Sequence, residues 1–224
     1  MWWLQWTLVN ALALGLGMAV LRAVVPGFNG DELLAVAAGA VGRVIAVVAL
    51  TGVSVAVVQG LAQGLVVRRV GVAGGRWATR TVIGLLVGWP LALVVAVPVG
   101  LALGPWQAAQ GPVVQAVVRY AIAALVGGIL GLTLGALQAP LLGGRSGQGS
   151  GRRWPLVSAL GGAVSFVVLL ALLPPFDRWA GPLASFLLGV TSGAAGSAVT
   201  GYGLKRFRQN EQNLQNGIGY GTGG

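Results

Sequence analysis

The sequence predicts an all-α integral membrane protein, with six transmembrane helices arranged as three repeated hairpins in a pseudo-threefold bundle and both termini in the cytoplasm. Three observations carry that expectation. The 224 residues are 56% hydrophobic and only 8% charged, with a mean hydropathy of +0.84. Soluble domains carry about 25% charged residues, and a core of this size cannot hide so much Val, Leu and Ala. Apolar stretches near the roughly 20 residues that a bilayer core requires recur six times. The basic residues then alternate between the loops in the manner of a multi-pass protein.

The six stretches are Leu4 to Leu21, Val44 to Val67, Val82 to Leu103, Tyr120 to Leu142, Leu156 to Leu173 and Leu183 to Leu204. None shows the strict apolar and polar alternation of a barrel strand, so they read as helices. The first opens MWWLQW, with no Lys or Arg ahead of its apolar run, and so lacks the basic leader of a secretory signal and is expected to be retained. Ahead of the second lies Leu33 to Arg43, which would either lengthen a tilted helix or form a re-entrant piece. Pro90 and Pro98 in the third stretch and Pro140 in the fourth are candidate kinks. Residues 1–208 form one transmembrane domain, with hairpins at about 1–69, 76–145 and 153–206. Residues 209–224, rich in Asn, Gln and Gly, read as a disordered cytoplasmic tail.

Charge sets the orientation. Arg68, Arg69, Arg76 and Arg80 lie between the second and third helices, Arg145, Arg152 and Arg153 between the fourth and fifth, and Lys205, Arg206 and Arg208 after the sixth. Arg22, Arg43, Arg119 and Arg178 share the other side with Asp31, Glu32 and Asp177. By the positive-inside rule the first group faces the cytoplasm, which accounts for the net charge of +10 without nucleic acid. Arg43 and Arg119 each begin an apolar helix and are read as snorkelling to the headgroups.

Two helix pairs match within the chain. The second helix ends Gly60-Leu-Ala-Gln63-Gly-Leu-Val-Val before Arg68, and the fourth ends Gly135-Ala-Leu-Gln138-Ala-Pro-Leu-Leu before Arg145. The third opens Arg76-Trp77 with Thr81 and Gly84, and the fifth Arg153-Trp154 with Ser158 and Gly161. Fainter copies stand at Trp6 and Asn10 in the first helix and at Gly196 and Thr200 in the sixth. Repeats in one orientation are related by an axis along the membrane normal, hence the pseudo-threefold bundle.

The repeat defines three sets of residues. Trp2, Trp3, Trp6, Trp77 and Trp154 sit at the cytoplasmic helix ends, the last two directly after Arg76 and Arg153, and read as interfacial anchors. Gly60, Gly131, Gly135, Gly189, Gly193 and Gly196 are spaced for close helix packing. Asn10, Gln59, Gln63, Thr81, Gln138, Ser158 and Thr200 share one depth, since Gln63 and Thr81 each lie about a turn inside the loop that joins their helices. This candidate polar layer reads either as interhelical hydrogen bonds or as the lining of a lipid, quinone-like or small-solute site.

At the G-x-x-Q step, followed by aliphatic residues, Arg and a Trp-led helix, the chain resembles a group of small Gly-rich multi-pass membrane proteins of cyanobacteria and filamentous anoxygenic phototrophs. Their motif reads G-x-x-Q-W-x-x-L-R. Here Gly60, Gln63 and Arg68, and again Gly135, Gln138 and Arg145, hold the matching positions, with Gly64 and Ala139 in place of Trp. The resemblance implies a bacterial inner or photosynthetic membrane and carries no mechanism. Mitochondrial carriers also have three hairpins, but their acidic-basic motif on each odd helix is absent.

With no Cys and no His, thiolate chemistry, Ser-His catalysis and the usual haem and zinc ligand sets are excluded. No catalytic residue, metal or cofactor is expected. The leading reading is a non-enzymatic scaffold or accessory subunit that packs through Gly-rich helix faces in the lipid bilayer, against a membrane-protein partner or a second copy. The alternative is a small-solute or lipid transporter or channel with the polar layer between its hairpins.

Overall fold

The computed structural model describes residues 2–24, 41–69, 71–142, 150–177 and 181–218. They form six helices: α1 (Trp2–Val24), α2 (Val41–Arg68), α3 (Gly74–Ala108), α4 (Pro112–Leu142), α5 (Ser150–Asp177) and α6 (Pro182–Ile218). Asp31, Glu32, residues 33–40, Arg145, Arg178 and residues 219–224 lie outside the described residues. Residues 41–43 of the segment ahead of the second span belong to α2.

Five helices are long and apolar enough to cross a membrane, and in α2 the apolar stretch among the described residues is Val55–Arg68. Leu4, Leu8, Leu12 and Leu16 run down the outside of α1, and Leu61 and Leu65 down α2, all exposed. Asn10, Gln63, Thr81, Gln138, Ser158, Ser192 and Ser197 are buried. Apolar outside and polar inside is the reverse of a soluble bundle and suits lipid as the surrounding solvent.

The helices form a closed ring. Each packs on its chain neighbours, and α6 returns to pack on α1. Neighbours run antiparallel: Gly64 of α2 lies at Gly74 of α3 and Gly60 at Ala78, while Gly189 of α6 lies at Gly15 of α1 and Gly201 at Trp6. The α2–α3 connection is tight because Gly71 adopts φ +82°, a conformation open to Gly at no steric cost. Its N–H donates to the Arg68 carbonyl and that of Val72 to the Val67 carbonyl, closing the end of α2. Pro90, Pro98 and Pro105 all lie inside α3, and Pro140 inside α4, without ending either helix.

Glycine sets the spacing of the ring. A methyl group on Gly60 would lie 2.9 Å from the Ala78 carbonyl oxygen of α3, and one on Gly135 would lie 2.7 Å from the Pro155 Cα of α5. One on Gly189 would lie 2.7 Å from Gly15 Cα, and one on Gly193 would lie 3.0 Å from Ala11 Cα, both on α1. Methyls on Gly131 and Gly196 would run into the carbonyl oxygens of Ser158 and Gly161 on α5. All six glycines singled out in the sequence are therefore used against neighbouring helices of the same chain. A partner surface built from them is not on offer.

Helix α6 continues to Ile218, so residues 209–218 are helical where a disordered tail was expected. Elongating a helix already formed carries no nucleation cost, and Gln, Glu, Leu and Asn tolerate it at a few tenths of a kcal/mol each.

The contacts at Gly131 and Gly128 make a matched test. Gly131→Ala is expected to destabilise the bundle by about 3 kcal/mol, because rigid backbone faces the added methyl. Gly128→Ala, whose nearest neighbour would be 4.0 Å away, should leave stability unchanged or slightly raised, as Ala is the better helix former. Thermal unfolding of the two variants in the same lipid mixture checks the pair.

Candidate functional site

Where the N-terminal ends of α1, α3 and α5 meet, Trp6, Trp77 and Trp154 converge on the axis of the ring. Their ring centroids are 5.8, 6.3 and 6.0 Å apart, with edge-to-face or tilted planes, the geometry that the aromatic quadrupole favours. They are 2%, 0% and 1% exposed. These three side chains are therefore core and not interfacial anchors. Their positions beside Arg76 and Arg153 matched an interfacial belt, but the face of the helix that carries them points inward. Trp2 and Trp3 are half-buried, and Trp2 packs on the cluster with Val66, Val67 and Leu204.

A buried indole N–H needs an acceptor, and each of the three finds one on the even-numbered helix that precedes it around the ring. Trp77 Nε1 donates to Gln63 Oε1 of α2 at 2.9 Å, Trp154 Nε1 to Gln138 Oε1 of α4 at 3.0 Å, and Trp6 Nε1 to Thr200 Oγ1 of α6 at 2.9 Å. The last of these bonds spans the two ends of the chain and joins α6 to α1.

One turn beyond each tryptophan stands a small polar residue. Asn10 Nδ2 donates to the Trp6 carbonyl at 2.8 Å, and Thr81 Oγ1 lies 3.0 Å from the Trp77 carbonyl and 3.1 Å from Gln63 Oε1. The glutamine amides complete the layer. Gln63 Nε2 donates to Asn10 Oδ1 at 2.5 Å, Gln138 Nε2 to Thr81 Oγ1 at 2.8 Å, and Gln59 Nε2 to Asn10 Oδ1 at 3.0 Å. Asn10, Gln59, Gln63, Thr81 and Gln138 thus form one bonded network across α1 to α4, and Thr200 joins through Trp6.

Ser158 does not join it. The hydroxyl is buried and has no hydrogen-bond partner among the described residues. Gln63 reaches Asn10, and Gln138 reaches Thr81, with an amide nitrogen. The corresponding residue facing Ser158 is Thr200, whose shorter side chain turns back to the Ser197 carbonyl at 3.2 Å.

Below the tryptophans the ring encloses a cavity of about 210 Å³. Twelve residues along from the tryptophans stand Met18, Trp89 and Phe166, all at the cavity wall, and the last two meet across the axis with ring centroids 5.9 Å apart. At 1.5 Å per residue the two layers are about 18 Å apart. Asn10, Gln59, Gln138, Ser158 and Thr200 line the end nearer the tryptophans, and Leu14, Leu85 and Leu130 the middle. Nothing in the spacing of polar residues announced Met18, Trp89 and Phe166; a shared twelve-residue offset from each tryptophan was the available signal.

Among the described residues the wall carries no Asp, Glu, Lys or Arg, and no group of carboxylates is placed to hold a metal ion. The site offers neutral hydrogen-bonding groups at the tryptophan end and a mainly apolar surface beyond it, where the hydroxyls of Ser165 and Ser192 donate to backbone carbonyls. No family model matches the chain, and no curated protein or solved structure matches it either.

Gln138→Leu is expected to destabilise by about 2 kcal/mol, because it strands the Trp154 N–H and removes the donor to Thr81 in a dry interior. Ser158→Ala, which removes a hydroxyl that bonds to nothing, should change stability by less than about 0.5 kcal/mol. Chemical or thermal denaturation of both variants beside the parent separates a working polar layer from incidental polar residues.

Proposed function

We propose that the chain is a non-enzymatic, six-span integral membrane protein built from three copies of a helical hairpin, and that it handles a small uncharged solute or lipid in a chamber on their common axis. The observation that carries this reading is the cavity itself, which lies on the ring axis and is closed at one end by the tryptophan cluster. Ligand sites in helix bundles occupy this position, between facing helices, with apolar walls and a few convergent polar groups.

The repeat is supported by register. Trp6, Trp77 and Trp154 are followed at four residues by Asn10, Thr81 and Ser158, and at twelve by Met18, Trp89 and Phe166. The even helices supply Gln63, Gln138 and Thr200 as indole acceptors. In this reading the tryptophan end faces the cytoplasm, since Arg68, Arg69, Arg76, Arg80, Arg152, Arg153, Lys205 and Arg206 flank it. The bacterial membrane setting follows from the resemblance noted above.

Of the two readings open to the sequence, solute or lipid handling gains and the scaffold loses. The scaffold was to pack on partners through glycine faces, and those faces are taken up within the chain. Among the described residues the chamber wall holds no charged acid or base for proton transfer.

The chain contains no cysteine, which makes introduced thiols unambiguous. Leu14→Cys, on the chamber wall, should react with a small neutral thiol reagent in intact membranes, and prior incubation with a bound solute should slow it. Ala92→Cys, buried at 0% exposure and away from the chamber, should stay unreacted. Equal protection at both positions would leave a packed bundle with no working chamber.

A further inference from the structure

The cavity described above has a shape and a polarity gradient that restrict its occupant further. Its 210 Å³ are drawn out over about 18 Å between the tryptophan layer and the Met18, Trp89 and Phe166 layer. That is a tube too narrow for two alkyl chains side by side.

We infer that the chamber binds a single-chain, uncharged amphiphile, with its hydrogen-bonding head at Gln59 and its alkyl chain directed toward Phe166 and Leu169. The inference rests on the reading of the chamber as a binding site.

Gln59 carries the head assignment. Its Nε2 donates to Asn10 Oδ1 at 3.0 Å, while its Oε1 has no protein partner among the described residues. It is half-buried and lines the chamber. The neighbouring amides are different: Gln63 and Gln138 are 2% and 1% exposed, and their oxygens already accept the Trp77 and Trp154 indoles. Gln59 therefore offers an acceptor with unused capacity to a hydroxyl or amide N–H, and its second amide proton can serve the oxygen of the same group.

Among the described residues the opposite end presents Met18, Trp89, Phe166 and Leu169, which suit methylene groups, and the hydroxyls of Ser165 and Ser192 beside them already donate to the Ser192 and Gly189 carbonyls. The described residues of the wall hold no charge to pair with an ion, and burying an ion without a counter-charge costs several kcal/mol. The third hairpin departs from the repeat along this wall. Where α1 and α3 place Leu14 and Leu85 at the eighth residue past the tryptophan, α5 has Gly162. Where α2 and α4 place Gln59 and Leu134 one turn before the indole acceptor, α6 has Gly196.

Thermal unfolding of the full chain in lipid nanodiscs tests this with three probes: 1-decanol, decane, and decanoate at pH 8. The protein should gain several degrees in Tm with decanol, less with decane and nothing with decanoate, as a ligand that binds only the folded state raises its stability. Gln59→Leu should bring the decanol shift down to the decane shift. Leu85→Trp, which fills the tube, should abolish both. Equal shifts for decanol and decane in the parent chain would overturn the head assignment while leaving the chamber in place, provided Leu85→Trp removes them. Shifts that survive Leu85→Trp, or no shift with any probe, would overturn the chamber reading as well. The ranking of the three probes on the parent chain decides the matter even where a variant does not fold.

Discussion

The structure depends on three indole N–H groups that have no water to bond to. Trp6, Trp77 and Trp154 bring the bulkiest side chains of the chain to one point on the axis, and each carries a donor that cannot be left unpaired in a dry interior. Each donor is met by the preceding even-numbered helix, so the requirement of one aromatic ring becomes a bond between two helices. The Trp6 to Thr200 bond has a further consequence: it joins the first helix to the last and closes the ring. Glycines at the helix contacts let the backbones come close enough for these short bonds. Hydrophobic burial supplies little of this between helices in lipid, where hydrocarbon already surrounds them.

The same arrangement accounts for the departure from threefold regularity. Two sites have a glutamine that accepts an indole and donates across to a small polar residue. The third has Thr200, which accepts the Trp6 indole but leaves Ser158 without a partner. Beside it, Gly162 and Gly196 stand where the other helices carry leucine or glutamine. Both glycines sit against the backbone of a neighbouring helix, and Gln59 lines the chamber with an amide oxygen that has no partner among the described residues.

Much of this was legible in the sequence because membrane helices allow few local alternatives. Apolar length marked the helices, and the G-x-x-Q step with the following R-W pair marked residues that the structure brings within hydrogen-bond distance, Gln63 with Trp77 and Gln138 with Trp154. Helix face was the weak point. Trp77 and Trp154 follow arginines at a helix end, a context shared by lipid-facing anchors and by inward core residues, and only the position of the neighbouring helices separates the two. Glycine spacing had the same ambiguity between partner contacts and contacts within the chain. The cavity had no local signal at all. It is lined by residues far apart in sequence, such as Leu14, Leu85 and Gly162, whose common neighbourhood acquires meaning only once the axis of the ring is known.

The three tryptophans point inward to hydrogen-bonded partners and do not face lipid. Fluorine NMR on protein carrying 5-fluorotryptophan tests this placement most directly, with resonances assigned through single Trp→Phe variants and a paramagnetic quencher attached first to lipid chains and then dissolved in water. The Trp6, Trp77 and Trp154 signals should stay sharp with both quenchers, while that of Trp106, half exposed at 50%, should broaden. Broadening of any of the three by the lipid-borne quencher to the extent seen for Trp106 would contradict it.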